Sequence, residues 1–304
     1  MVDGYALVGS GNFHFNAPEP ASEGAVRLQA GTILTRWCVR KRQELRSKGM
    51  YEKVCYGKSF LKQVIVRIDF ASPLEKLEKG PPVRFVTPIA KTFPIIEPTD
   101  VMTAEVAVNR EGIAHRQVTE RQWNYFSRER DTQLAIAPSN AFIVYNKYTT
   151  YEKTKEQFGT LVDALGTVYP GTMISRFGLR YINNIEGLVE EATQWKEYVH
   201  DDLVAARDFF GQDDFLTRLV SITELKYGAV GIRFQYGMPN PDFPATIKRP
   251  MFVIDIDASV MEAHELGQTM AYMDEAHAHV QTLFERSVKD ALREKMDAQQ
   301  PVQQ

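Results

Sequence analysis

A chain of 304 residues, 44% hydrophobic and 25% charged, can bury one large core or two small ones, and this composition excludes disorder for its bulk. Its net charge of -3 argues against broad nucleic-acid affinity, which needs many Lys and Arg to displace counterions from phosphates. No apolar run approaches the roughly eighteen residues that cross a bilayer, and MVDGYALVGSGNFHFN is not a basic start followed by an apolar stretch, so a cytoplasmic protein without membrane contact is expected.

Residues 1–49 differ from the rest: Gly, Ala, Pro and Ser come early without alternation, and the basic run RWCVRKRQELRSKG follows. They read as an N-terminal extension, with Met50 as a candidate natural start. Between Arg36 and Arg67 ten Lys or Arg face two acids, Glu44 and Glu52, a run that reads first as a solvated face and second as a phosphate-binding patch. Cys38 and Cys55 form neither a CxxC nor a Cys/His spacing, so no disulfide framework or zinc site is indicated.

From Met50 onward the periodicity is readable. VIVRIDF (64–70) alternates as a strand covered on one side. EKGPPVRFVTP and KTFPIIEP hold five prolines, which predicts a loop-rich connection. TAEVAV, IAHRQVTE, QWNYFSR, TQLAIAP and AFIVYNKYTTY then predict an antiparallel meander. A helix is expected over about 151–169, capped by Thr149 or Thr150 and ended by Pro170-Gly171. RFGLRYINNIEG (176–187) reads as a strand and 188–210 as a second amphipathic helix; LVSITELKY, AVGIRFQYG and PMFVIDIDAS read as strands, and about 267–296 as one long helix. The class is α+β: mainly antiparallel curved sheet with amphipathic helices on one face, in two halves of possible similarity, 50–187 and 188–304.

Parity sorts the side chains of 176–187. Phe177, Leu179, Tyr181, Asn183 and Ile185 share one face, the core face, while Arg176, Gly178, Arg180, Ile182 and Asn184 share the other. The arginines stand about 13 Å apart along the strand. The same sorting adds Arg67, Asp69, Arg233, Gln235, Asp255 and Asp257 to the charged face. Cross-strand ion pairing is the plain reading of that face; the sharper one is a surface for an anionic ligand or a partner, built on Arg67, Arg176, Arg180 and Arg233.

Other chemistry is weaker. Asp255 and Asp257 stand about 7 Å apart on one face, a spacing that suits a metal-dependent phosphodiester-cleaving enzyme. His277 and His279, two residues apart on a helix, point about 200° apart and cannot share a metal; His277 falls on the apolar seam. Trp123, Tyr125 and Phe126 interleave with Arg121, Arg128 and Arg130, which suits base stacking or a half-buried hairpin, and Tyr145, Lys147, Tyr148 and Tyr151 carry the same two readings. No GxGxxG, Walker A, HExxH or GxSxG occurs, and no cofactor is indicated.

YGKSFLKQVIVRIDFASPL, QWNYFSRERDTQLAIAPSNAFIVYNKYTTYEKTKEQF, SRFGLRYINNI and FVIDIDAS, in that order, resemble a sporadically distributed bacterial and archaeal family of unsettled role, over about Tyr56 to Met296. W-N-Y-F-S followed by R-F-G-L-R-Y-I-N is the specific part of that resemblance. The family's members begin near YGKSFLKQVIV, which implies Met50 as the start, and their patchy distribution implies an accessory role linked to phage defence or mobile islands. No catalytic residues come with the resemblance. The expectation is therefore a non-enzymatic accessory or binding protein, its partner or small anionic ligand engaging the Arg-bearing face or the surface around Trp123, with the Asp255/Asp257 enzyme as the alternative and nucleic acid less favoured.

Overall fold

A computed structural model of the chain describes residues 55–109, 112–210, 216–296 and 298–299, all within one compact unit, Gly49–Gln304. The expected extension 1–49, and most of the basic run with it, lies outside the described residues.

Ten strands form one antiparallel, open sheet with helices packed around it. In chain order, β1 (Cys55–Tyr56) is followed by β2 (Leu61–Phe70), α1 (Val83–Ala90), β3 (Ile95–Asn109), β4 (Gly112–Phe126), β5 (Thr132–Ile136), β6 (Asn140–Tyr145) and α2 (Tyr151–Val168). Then come β7 (Met173–Glu186), α3 (Ala205–Phe210), β8 (Leu219–Tyr227), β9 (Val230–Met238), β10 (Met251–Val260), β11 (His264–Glu265), α4 (Thr269–Ser287), α5 (Asp290–Lys295) and β12 (Ala298–Gln299). The sheet runs β3-β4-β5-β6-β2-β7-β10-β9-β8, with β11 added to β7; β1 and β12 pair separately.

One topology occurs twice. A first strand (β2, then β7) is followed by an excursion, a meander that returns beside that strand (β6, then β10), and a helix (α2, then α4). The first strands pair with each other at the centre of the sheet. The repeat turns over between α2 and β7, and the β7–β10 pairing carries the sheet across the 187/188 boundary.

The core lies on one face. Val64, Val66 and Ile68 of β2, Phe177, Leu179 and Ile185 of β7, and Phe252, Ile254 and Ile256 of β10 are all fully buried. Phe158, Leu161 and Leu165 of α2, and Met273, Ala276 and Val280 of α4, come down on them at helical spacing. Each such side chain contributes about 1.5–3 kcal/mol by leaving water. The parity holds along the strand: the odd positions from Phe177 to Ile185 are all buried, Tyr181 and Asn183 among them.

Four elements differ from the sequence expectation. The proline-rich connection is not all loop: a 3-10 turn spans Glu75–Lys79, and α1 follows with Pro82 as its N-cap and Pro88 inside, because Phe85 and Ile89, four residues apart, both bury. Pro98 is accommodated because β3 is an edge strand. The expected short strands around 103–126 join into one long β3–β4 hairpin. The expected helix over 188–210 is two 3-10 segments, Ala192–Glu197 and Asp201–Leu203, followed by the short α3. Its backbone is diverted: the His200 amide donates to the Ser287 carbonyl and the Lys289 amide to the Tyr198 carbonyl, with Val199 bridged to Val288. The same contact explains the fourth difference, since Val288 is extended there and divides the expected long C-terminal helix into α4 and α5.

Gly237 is fixed by its backbone. Its φ of +138° suits only glycine, and an added Cβ would collide with the Leu219 carbonyl oxygen on β8. Gly231, on the same strand, has nothing nearer than the Ser259 carbonyl oxygen at 3.8 Å. In urea denaturation, Gly237→Ala should lose at least about 2 kcal/mol, whereas Gly231→Ala should stay within about 1 kcal/mol of the parent.

Candidate functional site

The sheet brings Arg67, Arg176, Arg180 and Arg233 together on the face away from the core, but their charges are already matched. Across the register Arg180 lies opposite Asp257, Asp257 opposite Arg233 and Arg233 opposite Glu224, so sign alternates over four strands. Side-chain geometry tightens this. Arg180 grips Asp255 as a fork, Nε to Oδ1 at 2.8 Å and Nη2 to Oδ2 at 2.5 Å. Arg67 donates from Nε to Asp69 Oδ1 at 2.7 Å, and Arg176 lies 3.5 Å from the other Asp69 oxygen and 3.9 Å from Asp257. The space over Gly178 is filled, because the Arg176 guanidinium lies across it, 3.1 Å from where a Cβ would sit.

Asp255 and Asp257 also share this face. Both Asp255 oxygens accept from Arg180, which leaves that carboxylate engaged in an ion pair. Burial raises the Asp257 pKa, opposed by the nearby Arg176 and Arg180. Among the described residues no group of three or more His, Cys, Asp or Glu is arranged to hold a metal ion. Trp123 stands apart from the arginines: it shares the core-side parity of the buried Tyr125, and its indole Nε1 donates to the Leu77 carbonyl at 2.9 Å, with Arg121 over its ring. His277 and His279 diverge, each stacked on a different tyrosine, Tyr151 and Tyr227.

The concave site lies on the helix side of the sheet. A cavity of about 570 Å³ opens over the end of β7. Tyr181, Asn183 and Ile256 form its floor, α4 supplies one wall through His277, Val280 and Glu285, and the turn into α2 supplies another through Tyr148 and Tyr151. Thr150 fixes that turn, its hydroxyl accepting from the Lys153 amide at the start of α2.

The polar groups of the lining hold one another. The Tyr148 and Tyr181 hydroxyls lie 3.5 Å apart, and the Tyr181 hydroxyl is 3.2 Å from His277 Nδ1. The His277 ring stacks on Tyr151 with centroids 3.6 Å apart and planes within 2°. Tyr151 in turn donates to Asp274 at 2.7 Å, and Lys155 donates to the same carboxylate at 2.8 Å. On the far wall Tyr56 donates to Glu285 Oε1 at 2.6 Å while Arg293 donates to Oε2 at 3.1 Å. Burial pushes the phenols of Tyr56, Tyr151 and Tyr181 well above their ordinary value and the His277 imidazole down to about 4, so all four are uncharged near neutral pH.

The Arg-bearing face expected from the sequence lies on the opposite side of β7 from this cavity. The available signal was a polar pair, Tyr181 and Asn183, at core-facing positions, together with the tyrosines of 145–151 and a histidine on the α4 seam. Fold and cavity together define an antiparallel α+β protein with a helix-walled cavity. No protein-family model, curated protein or solved structure matches the chain.

Two measurements follow from these pairings. Arg180→Met strands the buried Asp255 carboxylate and should cost about 2–3 kcal/mol in chemical denaturation; adding Asp255→Asn should restore at least about half of that, because the uncompensated charge is removed. His277 is neutral when folded, and its unfolded value is near 6.5, so the unfolded chain binds more protons between about pH 6.5 and 4. Stability should therefore fall as pH drops through that window, by on the order of 2–3 kcal/mol more than in His277→Gln, as read from denaturation midpoints at a series of pH values.

Proposed function

We propose that this chain is a binding protein whose ligand is a small molecule held in the tyrosine-lined cavity between the sheet and α4. The observation that carries the reading is polar chemistry on a face that is otherwise sealed and apolar. Asn183 is 5% exposed and Glu285 2%, yet both line a cavity within the volume range of ligand pockets, about 300–1,000 Å³. A strand and a helix that needed only packing would carry Leu or Val at these positions. The accessory role implied by the family resemblance agrees with ligand capture. The Arg-bearing face makes a weaker case for anion capture, since binding there would have to displace carboxylates from Arg67, Arg176 and Arg180.

Blocking the cavity tests the reading. Val280, on α4, projects into the lining, and Val280→Trp fills the space; Thr149→Trp, at an exposed position of the lining, is a second plug that leaves the core intact. Native mass spectrometry of the purified protein should show a bound small molecule whose occupancy falls at least about tenfold in both variants and is unchanged in Arg233→Ala. Equal occupancy in the plugged variants, or loss in Arg233→Ala alone, would move the site off the cavity.

A further inference from the structure

We infer that the cavity accepts an uncharged, ring-shaped polar molecule of nucleoside or sugar size, an inference that rests on the cavity being the binding site. The argument is a charge account of the lining. Lys147 and Glu152 are its exposed charges, in contact with water. Glu285 is the sealed one, and its two oxygens already accept from Tyr56 and Arg293, the latter also paired with Asp290. Asp274, behind Tyr151, is held by Tyr151 and Lys155. Of the other ionisable groups in the lining, Tyr56, Tyr151, Tyr181 and His277 are kept neutral by burial.

A phosphate, carboxylate or ammonium buried in this space would lose its water, and the one sealed charge of the lining, Glu285, is already paired; Lys147 and Glu152, of opposite sign, stay exposed to water. A cation cage is also poorly built, because one face of Tyr151 is covered by the His277 ring and Tyr148 meets Tyr181 edge to face at 5.7 Å. What the cavity offers is neutral. Tyrosine hydroxyls and the amides of Asn146, Asn183 and Gln281 line it beside the apolar surfaces of Ile256, Val280 and Phe284. Asn183 spends one amide hydrogen on the Ile254 carbonyl, at 3.2 Å, so an amide with four hydrogen-bonding sites is not exhausted by that bond. Hydroxyl and amide donors around flat apolar patches match a ring with polar edges.

Matched pairs test the charge rule. Adenosine, guanosine, cytidine and uridine are each compared with the 5′-monophosphate, and glucose and galactose each with the 6-phosphate and the 2-amino sugar, by titration calorimetry at up to about 1 mM. At least one neutral member is expected to bind, with its charged partner at least about tenfold weaker, and Tyr181→Phe is expected to weaken the neutral ligand while leaving the folded-state circular dichroism unchanged. The nucleoside and sugar arms separate the two sources. Charged members that bind as tightly as neutral ones, or no neutral member that binds, would overturn the inference. Its failure is separable from failure of the binding reading: a charged molecule lost from both tryptophan-plugged variants keeps the cavity and ends the neutrality, whereas a molecule retained by both ends the cavity itself.

Discussion

Every feature of this protein follows from the alternation of one central strand. β7 is paired on both sides, to β2 and β10, so neither of its faces can be reassigned without breaking two ladders. With Phe177, Leu179 and Ile185 fully buried, a one-residue slip would drive Arg176 and Arg180 into the core and the aromatic and aliphatic groups into water. That penalty pins the register of the two strands beside it, and through them the meanders on either side. The two halves meet here as well, each contributing its first strand to the central pair.

Placing the arginines outside the core does not leave Arg67, Arg176 and Arg180 unpaired. Four guanidinium groups on one face would repel if unopposed, and the sheet places acids between them: Asp69 beside Arg67 and Arg176, Asp255 beneath Arg180, Asp257 between Arg180 and Arg233. Exposed pairs of this kind contribute about 0–1 kcal/mol, while the nearly sealed Asp255 makes its fork with Arg180 expensive to break from either side alone. The absent side chain of Gly178 has a structural use, since it is the space in which Arg176 lies flat. Alternating charge on this face is thus a device that keeps the sheet in register and matched in sign.

The strands were legible because period-two alternation is a local property, and a buried face enforces it wherever it occurs; β2, β7, β9 and β10 could be read from their own residues. α2 was legible for the same reason at helical period, down to its Thr150 cap. The failures share a cause of another kind. Residues 188–210 carry a helical stripe with Trp195, Val199 and Val204 buried, but the Tyr198 carbonyl and the His200 amide bond to 289 and 287, nearly ninety residues away, and no local pattern records that. Pro88 argues against a helix locally, and the burial of Phe85 and Ile89 outweighs it. The cavity was hidden because its lining comes from six separate stretches, 56–61, 146–152, 181–183, 256, 277–285 and 296, which no local pattern joins.

The cavity persists because of where the apolar stripes end. Along β7 the core-facing series runs from Phe177 and Leu179 into Tyr181 and Asn183, and along α4 the stripe of Met273, Ala276 and Val280 is flanked by His277, Gln281 and Phe284, themselves four and three residues apart. Where these two polar margins face each other no side chain interdigitates. An apolar gap of that size would collapse or cost several kcal/mol, since unfilled core volume costs about 24 cal/mol per Å³. A gap edged by hydroxyls, amides and a neutral imidazole behaves differently, because water can bond to its walls while the cavity stands empty of ligand. On the proposed function, a ligand exchanges that water for a similar arrangement of donors and acceptors, and the walls need not be rebuilt: Tyr151 is stacked on His277, Tyr181 is anchored to it, and Glu285 is locked by Tyr56 and Arg293. Preorganisation of this kind is what separates a binding site from a packing defect.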